Sequence, residues 1–434
     1  MKTSYKLALV LALLAAASLA PMAAKAAPEL PIIVVDLAHG QNHNGVCAMM
    51  SVVPDAYWVV VVKDQAAAEQ LPNCVKLRAY DVIVGDLSGL PDLRPKMVII
   101  GQPVDPLSDE EKQAVLSWFT SPGDKALWCA GDSDYPAQGG NLELAMTNCN
   151  DLLDFLASNG IDIKVRLDYV SIEDPVSNAG RSYRVVALVE PSTTKFGADL
   201  LALGAKKVLM HGPGAVAWVD DAGNWHKVGE AGTPENIFAI LVTTDQGTVV
   251  EHQPRSPGEP GNLGFAHTAG ETGKFVLMAA QVLETGDGRK VVIVSGESPY
   301  YGYQSLVTAE YYGVKLDGPR FFRNLVLWAT NAMGELEAFR AVASKAEEAA
   351  REIEGKLPQI SSAVDQLRST VGSLESRLGS VEGKVSNLEG TVGELQSTIQ
   401  DMVKAVNTAY TLGVAGLVLG VIAIIAAGLA LRRK

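Results

Sequence analysis

These 434 residues contain no basic stripe interleaved with aromatics, and 36 Lys and Arg face 49 Asp and Glu, for a net charge of −13. That balance excludes a nucleic-acid partner, because phosphate recognition rests on concentrated positive charge. Complete G-x-G-x-x-G and Walker patterns are also missing, so His211-Gly212-Pro213-Gly214 reads as a turn and no cofactor is expected. Cysteine is scarce. Cys47, Cys74, Cys129 and Cys149 show no C-x-x-C spacing, which argues against a metal centre of that kind, and none is expected. In an exported chain an even set of four implies two disulfides, with three connectivities open. Pairing Cys47 with Cys74 and Cys129 with Cys149 is expected, since each pair is close in sequence.

What the chain does have is a long heptad pattern. Leu357, Val364, Val371, Leu378, Val385, Val392, Ile399 and Val406 fall at position a, and Ile360, Leu367, Leu374, Val381, Leu388, Leu395 and Met402 at d. A 3.5-residue period held this long specifies a left-handed coiled coil; β-branched a positions with Leu at d favour a parallel dimer, with a trimer also open. Arg377 and Lys384 at g face Glu382 and Glu389 at e, as parallel pairing requires. Continuing the frame past the heptads gives Ala409, Gly413, Gly416, Gly420, Ala423, Ala427 and Ala430, so every seam position there is Gly or Ala. Small residues on one face let membrane helices approach closely, and the expectation is one continuous oligomeric bundle.

The two ends of the chain address a membrane. Lys2 and Lys6 precede the apolar run Leu7 to Ala20, and Ala24-Lys25-Ala26 offers a cleavage site, so residues 1–26 read as a signal peptide. Residues 409–431 would rise ~34 Å as a helix, enough for a bilayer core of ~30 Å. Arg432, Arg433 and Lys434 then belong on the cytoplasmic side. The expected layout is a single-pass type I protein: an outer domain at 27–334, a coiled-coil stalk at 335–406 spanning ~75 Å over its heptads, the membrane helix, and the tail 432–434.

The outer domain reads as alternating strands and helices. Pro31 to Asp36, Tyr57 to Val62, Asp81 to Asp86, Met97 to Gly101 and Ala126 to Ala130 are short Val/Ile-rich runs. Ser108 to Glu111 is a capping box opening a helix to about Phe119, and Asn141 to Ala157 has helical periodicity. Further strands are expected at Tyr183 to Val189, Lys206 to Met210, Ala215 to Asp220, Phe275 to Val282 and Lys290 to Ser295, with a closing helix at Arg320 to Ala332. The expected class is α/β, a doubly wound and mainly parallel sheet with extra β structure.

Asp36-Leu37-Ala38-His39-Gly40-Gln41 after the first strand, Gly131-Asp132-Ser133-Asp134, Ser295-Gly296-Glu297-Ser298, and Asn324 and Trp328 on the closing helix carry a resemblance. Residues 30 to 334 resemble the glutamine-amidotransferase-like domains of exported, membrane-anchored prokaryotic proteins, including accessory components of gliding-motility and ABC-transport systems. The resemblance implies a flavodoxin-like fold, and a transporter or surface-layer subunit is an expected partner. It does not extend to glutaminase chemistry. A G-x-C-x-G elbow would carry the nucleophile, but Leu127-Trp128-Cys129-Ala130-Gly131 replaces the first glycine, and no histidine has Glu two residues later.

One polar set remains. Asp36, His39, Gln41, Asp132, Ser133, Asp134 and Glu297 follow strand ends, where open α/β sheets bind ligands. Carboxylates with an imidazole suit a divalent cation or acid/base chemistry on a glycan or peptide; capping of turns and helices is the simpler use and is placed first. Tyr300, Tyr301, Tyr303, Tyr311 and Tyr312 are read as packing residues. The expected function is a non-catalytic scaffold, receptor or transport-accessory domain on an oligomeric stalk, and an envelope hydrolase is the alternative.

Overall fold

The computed structural model describes residues 30–133, 142–251, 264, 266–300 and 304–432. The expected signal peptide, Asp134, Tyr301, Tyr303 and the last two residues of the tail lie outside the described residues. Strands in chain order are β1 (Ile32–Leu37), β2 (Tyr57–Val62), β3 (Asp81–Val84), β4 (Met97–Gly101), β5 (Lys125–Ala130), β6 (Val165–Asp168), β7 (Ser171–Glu173), β8 (Arg184–Val189) and β9 (Lys207–His211). They continue with β10 (Ala215–Val219), β11 (Trp225–Lys227), β12 (Ile237–Val242), β13 (Gly247–Glu251), β14 (Thr272–Gly273), β15 (Val276–Thr285), β16 (Gly288–Ser295), β17 (Glu310–Tyr311) and β18 (Val314–Lys315). The helices are α1 (Val46–Val52), α2 (Gln65–Gln70), α3 (Asn73–Arg78), α4 (Leu90–Leu93), α5 (Asp109–Thr120), α6 (Leu142–Ser158), α7 (Gly318–Ala329) and α8 (Gly334–Leu431).

Ten strands share one sheet in the order β3-β2-β1-β4-β5-β16-β15-β12-β8-β9. From β3 to β16 every pairing is parallel, and from β16 to β9 every pairing is antiparallel. The sheet is therefore mixed, and the mainly parallel sheet expected from the sequence needs correction. Part of the extra β structure, β15, β12, β8 and β9, completes the same sheet, and the rest forms three small sheets, β11-β10-β6, β14-β13-β7 and β17-β18. The central hairpin β15–β16 carries the switch, because β16 lies parallel to β5 while running antiparallel to β15.

Alternation along the strands feeds two cores. Ile33, Val35, Trp58 and Val60 face Met49 and Met50 of α1 and Phe321, Phe322 and Leu325 of α7. Val34, Val59 and Val61 face Val115, Trp118 and Phe119 of α5 and Leu152, Leu153 and Leu156 of α6. Each such side chain removed from water contributes about 1.5–3 kcal/mol, which explains why both faces of a Val/Ile run are covered by helices. Four of the buried indoles are satisfied, while Trp218 Nε1 is buried without a hydrogen-bond partner. Trp58, Trp118 and Trp328 donate to the carbonyls of Val53, Pro95 and Phe196, and Trp128 donates to Ser295 Oγ at 2.9 Å.

Local signals set the helix ends. Ser108 Oγ accepts from Glu111 N while the Glu111 carboxylate accepts from Ser108 N, the reciprocal cap expected at α5. The closing helix stops at Ala329 rather than Ala332, because Asn331 adopts a left-handed φ of 61°, a C-terminal stop. Both disulfides form as expected, Cys47–Cys74 between α1 and α3 and Cys129–Cys149 between β5 and α6.

The chain divides into two compact units, the first ending at Val342 and the second running from Ala343. The second contains α8 from Ala343 onward, and the apolar end of that helix is long enough to cross a membrane. Pro358 lies inside it and has no N–H for the carbonyl four residues back, so the ladder loses a bond where the heptads begin. All fifteen a and d residues from Leu357 to Val406 are exposed, among them Leu367 at 64%, Leu374 at 56%, Leu388 at 64% and Leu395 at 57%.

Candidate functional site

The strand order reverses between β1 and β4, the position at which open α/β sheets commonly hold ligands beyond the carboxyl ends of the strands. Asp36 ends the pairing of β1 with β4, opposite Ile100. Its carboxylate accepts from Ala38 N at 3.0 Å, from Gln41 Nε2 at 2.5 Å and faces His39 Nδ1 at 2.8 Å. Gln41 in turn accepts from His39 N at 2.7 Å, so the loop is folded around its own side chains. His39 is 5% exposed and its other nitrogen, Nε2, lies 2.9 Å from Glu111 Oε1.

That second partner decides the state of the imidazole. A nitrogen facing a carboxylate must carry a proton, and here both do, so His39 is an imidazolium. Burial would push its pKa down, but the hydrogen bonds to Asp36 and Glu111 prevail and hold it up at about 10. Glu111 shows the converse. Burial pushes its carboxyl up, yet His39, Ser108 N and Leu87 N hold it down at about 2. A general base needs a free lone pair near neutral pH, and this histidine has none.

Asp132, Ser133 and Glu297 form a second group. Asp132 is 3% exposed; its carboxylate accepts from Ser133 N at 2.7 Å and from Gln102 Nε2. Glu297 is 6% exposed and accepts from His211 N. Burial pushes Asp132 up to about 7. Burial and then the nearby Asp132 charge push Glu297 well above the usual carboxylate range.

Tyr300 joins the two groups. It is fully buried; its hydroxyl donates to the Asp36 carbonyl at 2.8 Å and accepts from Gly101 N at 2.9 Å, bridging the ends of β1 and β4. A Cβ on Gly101 would lie 2.7 Å from the Tyr300 ring and 2.4 Å from Ser298 Oγ, so glycine is required there. Gln102, the next residue, takes a left-handed φ of 54° and reaches Asp132.

The six described members of the sequence-predicted set thus do not converge in an open pocket. Asp36, His39 and Gln41 form one network, Asp132, Ser133 and Glu297 another, and Asp134 lies outside the described residues. A cavity of about 480 Å³ at the ends of β1 and β2 is lined by Gln41 together with Asn42, His43, Lys63 and Gln70, and Gln41 alone among the six lines it. A larger cavity of about 700 Å³ borders β12 and β15, where His267 lines the wall and holds Asp168 Oδ2 at 2.6 Å through Nδ1. Sequence reasoning missed Asp168 and His267, as well as Gln102, Tyr300 and the Glu111 oxygen that faces His39. The capping box marked Glu111, but only as a cap.

Cys129 is fully buried and bonded to Cys149, so the residue aligned with a glutaminase nucleophile has no thiolate to offer. Among the described residues no group of three or more His, Cys, Asp or Glu is placed to hold a metal ion. No family model matches the chain, and no curated protein matches it. Among solved structures the chain is similar to one titled "mmIFT52 N-terminal domain", with a TM-score of 0.40 and 9% identity over 69% of this chain and 97% of that one. A likeness of that size carries no argument about function.

Proposed function

We propose that this chain is an exported scaffold, receptor or transport-accessory subunit, anchored as a single-pass type I membrane protein, that presents a non-catalytic amidotransferase-like domain on an oligomeric stalk. The observation that carries the reading is α8. Fifteen large apolar side chains at strict a and d spacing stand in solvent on a helix that continues into an apolar span. Such a stripe is stable in water only against a partner helix. A flavodoxin-like winding of the outer domain is supported by the order β3-β2-β1-β4-β5 and by helices on both faces.

The envelope-hydrolase alternative finds less support. It requires a base, and His39 is protonated between two carboxylates while Asp36 spends its oxygens on the loop. The presentation reading is tested on the full chain in detergent by sedimentation velocity. The wild type should sediment as a dimer or trimer and the Leu374→Lys, Leu388→Lys double variant as a monomer. A monomeric wild type would sink the reading.

A further inference from the structure

The pair Asp132 and Glu297 is unexplained by anything above. Ala130 of β5 and Ser295 of β16 are register partners, and Gly131 N donates to Ser295 O at 2.9 Å. Asp132 and Glu297 each follow two residues later, so two acidic side chains leave adjacent parallel strand ends that are spaced about 4.8 Å apart. Gly214 and Gly296 close over this point. Gly214 N donates to Gly296 O at 2.8 Å, and a Cβ on Gly214 would lie 2.4 Å from the Asp132 carbonyl.

Nothing cationic answers these carboxyls. Their partners are Ser133 N, the Gln102 amide and His211 N, all neutral, and among the described residues no Lys, Arg or His side chain forms an ion pair with either. Two carboxylates cannot both be ionised in a buried site without compensation. A third group is also out of balance. Gln102 is 3% exposed, its Nε2 is spent on Asp132, and its Oε1 is buried with no hydrogen-bond partner. A buried amide oxygen left unpaired is destabilising, and its residue is held in a left-handed backbone conformation.

We propose that Asp132, Glu297 and the Gln102 amide oxygen form an internal site for one hard divalent cation, Ca²⁺ or Mg²⁺. Two carboxylates balance the double charge, and the orphan amide oxygen gains a partner. Oxygen-only donors of this kind suit hard cations and not zinc or copper, which prefer nitrogen and sulfur. The cation would tie β4, β5 and β16 together at their carboxyl ends, where three segments of the chain meet. It has a structural role here, since the site is closed.

The test uses the full chain in detergent, dialysed against EDTA and then against millimolar CaCl₂ or MgCl₂. Binding to the folded state alone raises the melting temperature. The expected result is a rise with cation that is lost in Glu297→Gln. That variant replaces a carboxyl by its neutral isostere, so its cation-free form should melt no lower than the cation-free wild type. Equilibrium dialysis with radioactive Ca²⁺ should give one ion per wild-type chain and at least tenfold weaker binding in Glu297→Gln. An unchanged melting temperature with no bound Ca²⁺, or full binding in Glu297→Gln, would overturn the proposal; either outcome would leave the two groups as a pair held neutral by protons.

Discussion

Replacing Glu111 by Gln isolates the ion pair that fixes His39. Gln can still accept from Ser108 N, so α5 keeps that cap bond, but its amide nitrogen then faces Leu87 N and His39 Nε2, and the charge is lost together with the acceptor those two donors share. The imidazole is held at about 10 against an ordinary 6.5. At about 1.4 kcal/mol per unit that span is worth up to roughly 5 kcal/mol, shared between Asp36 and Glu111. Losing one of the two partners should therefore cost about 3 kcal/mol, in line with breaking a buried pair.

The pH dependence identifies the source. A histidine whose folded pKa is raised contributes fully below 6.5 and loses that contribution as the pH climbs through about 10. A depressed Glu111 contributes above 4.5 and loses it as the pH falls through about 2. The difference between wild type and variant is thus full at pH 4.5–6.5 and has shrunk by pH 10. Asp132 and Glu297 titrate in both proteins and cancel in the difference. Urea unfolding followed by tryptophan fluorescence at pH 6 and pH 10 measures it, with Trp118 reporting from the same helix. An equal deficit at both pH values, or one below about 1 kcal/mol at pH 6, refutes the charge argument.

Three further outcomes follow from single contacts. Tyr300→Phe leaves Gly101 N without an acceptor inside the core and should cost about 2 kcal/mol in thermal unfolding; an unaltered melting curve would show the bridge to be idle. Cys129→Ala with Cys149→Ala opens a crosslink spanning 20 residues and should cost about 3 kcal/mol by chain entropy, measured by urea denaturation under oxidising conditions. Replacing Gly416 and Gly420 by Ile on the isolated anchor should weaken its association in detergent, and undiminished self-association by crosslinking would reject a small-residue seam.

Legibility tracked the range of the interaction. Val/Ile runs such as Tyr57 to Val62 and Met97 to Gly101 matched their strands because each is buried on both faces and bounded by turn residues. β12, a six-residue apolar run, was not read as a strand, since a short continuous run fits a buried helix equally well. β7 and β14 are two or three residues long and exist only by pairing with β13, which does not neighbour β7 in the chain, and the three-residue β11 exists only as the return of a short hairpin with β10. The site divides in the same way. Asp36, His39 and Gln41 lie within one loop and could be found from it. The Gly101 contact of Tyr300 spans 199 residues and that of His267 with Asp168 spans 99, and neither leaves a local mark.

Those distant contacts change what the strand ends are for. In an open α/β sheet the reversal of strand order leaves a crevice beyond the strand ends, and ligands enter it. Here Tyr300 closes the ends of β1 and β4 with a hydroxyl that serves both strands, and its ring fixes Gly101 as the only residue that fits beneath it. A ligand at that point would have to displace a fully buried tyrosine and strand two backbone groups, a cost of several kcal/mol before it made any contact of its own. The polar residues beside it are committed too, His39 to two carboxylates and Asp36 to its own loop. A domain built this way holds its shape at the place where related architectures open. Under the presentation reading proposed above, recognition falls to the rim and outer faces of the domain.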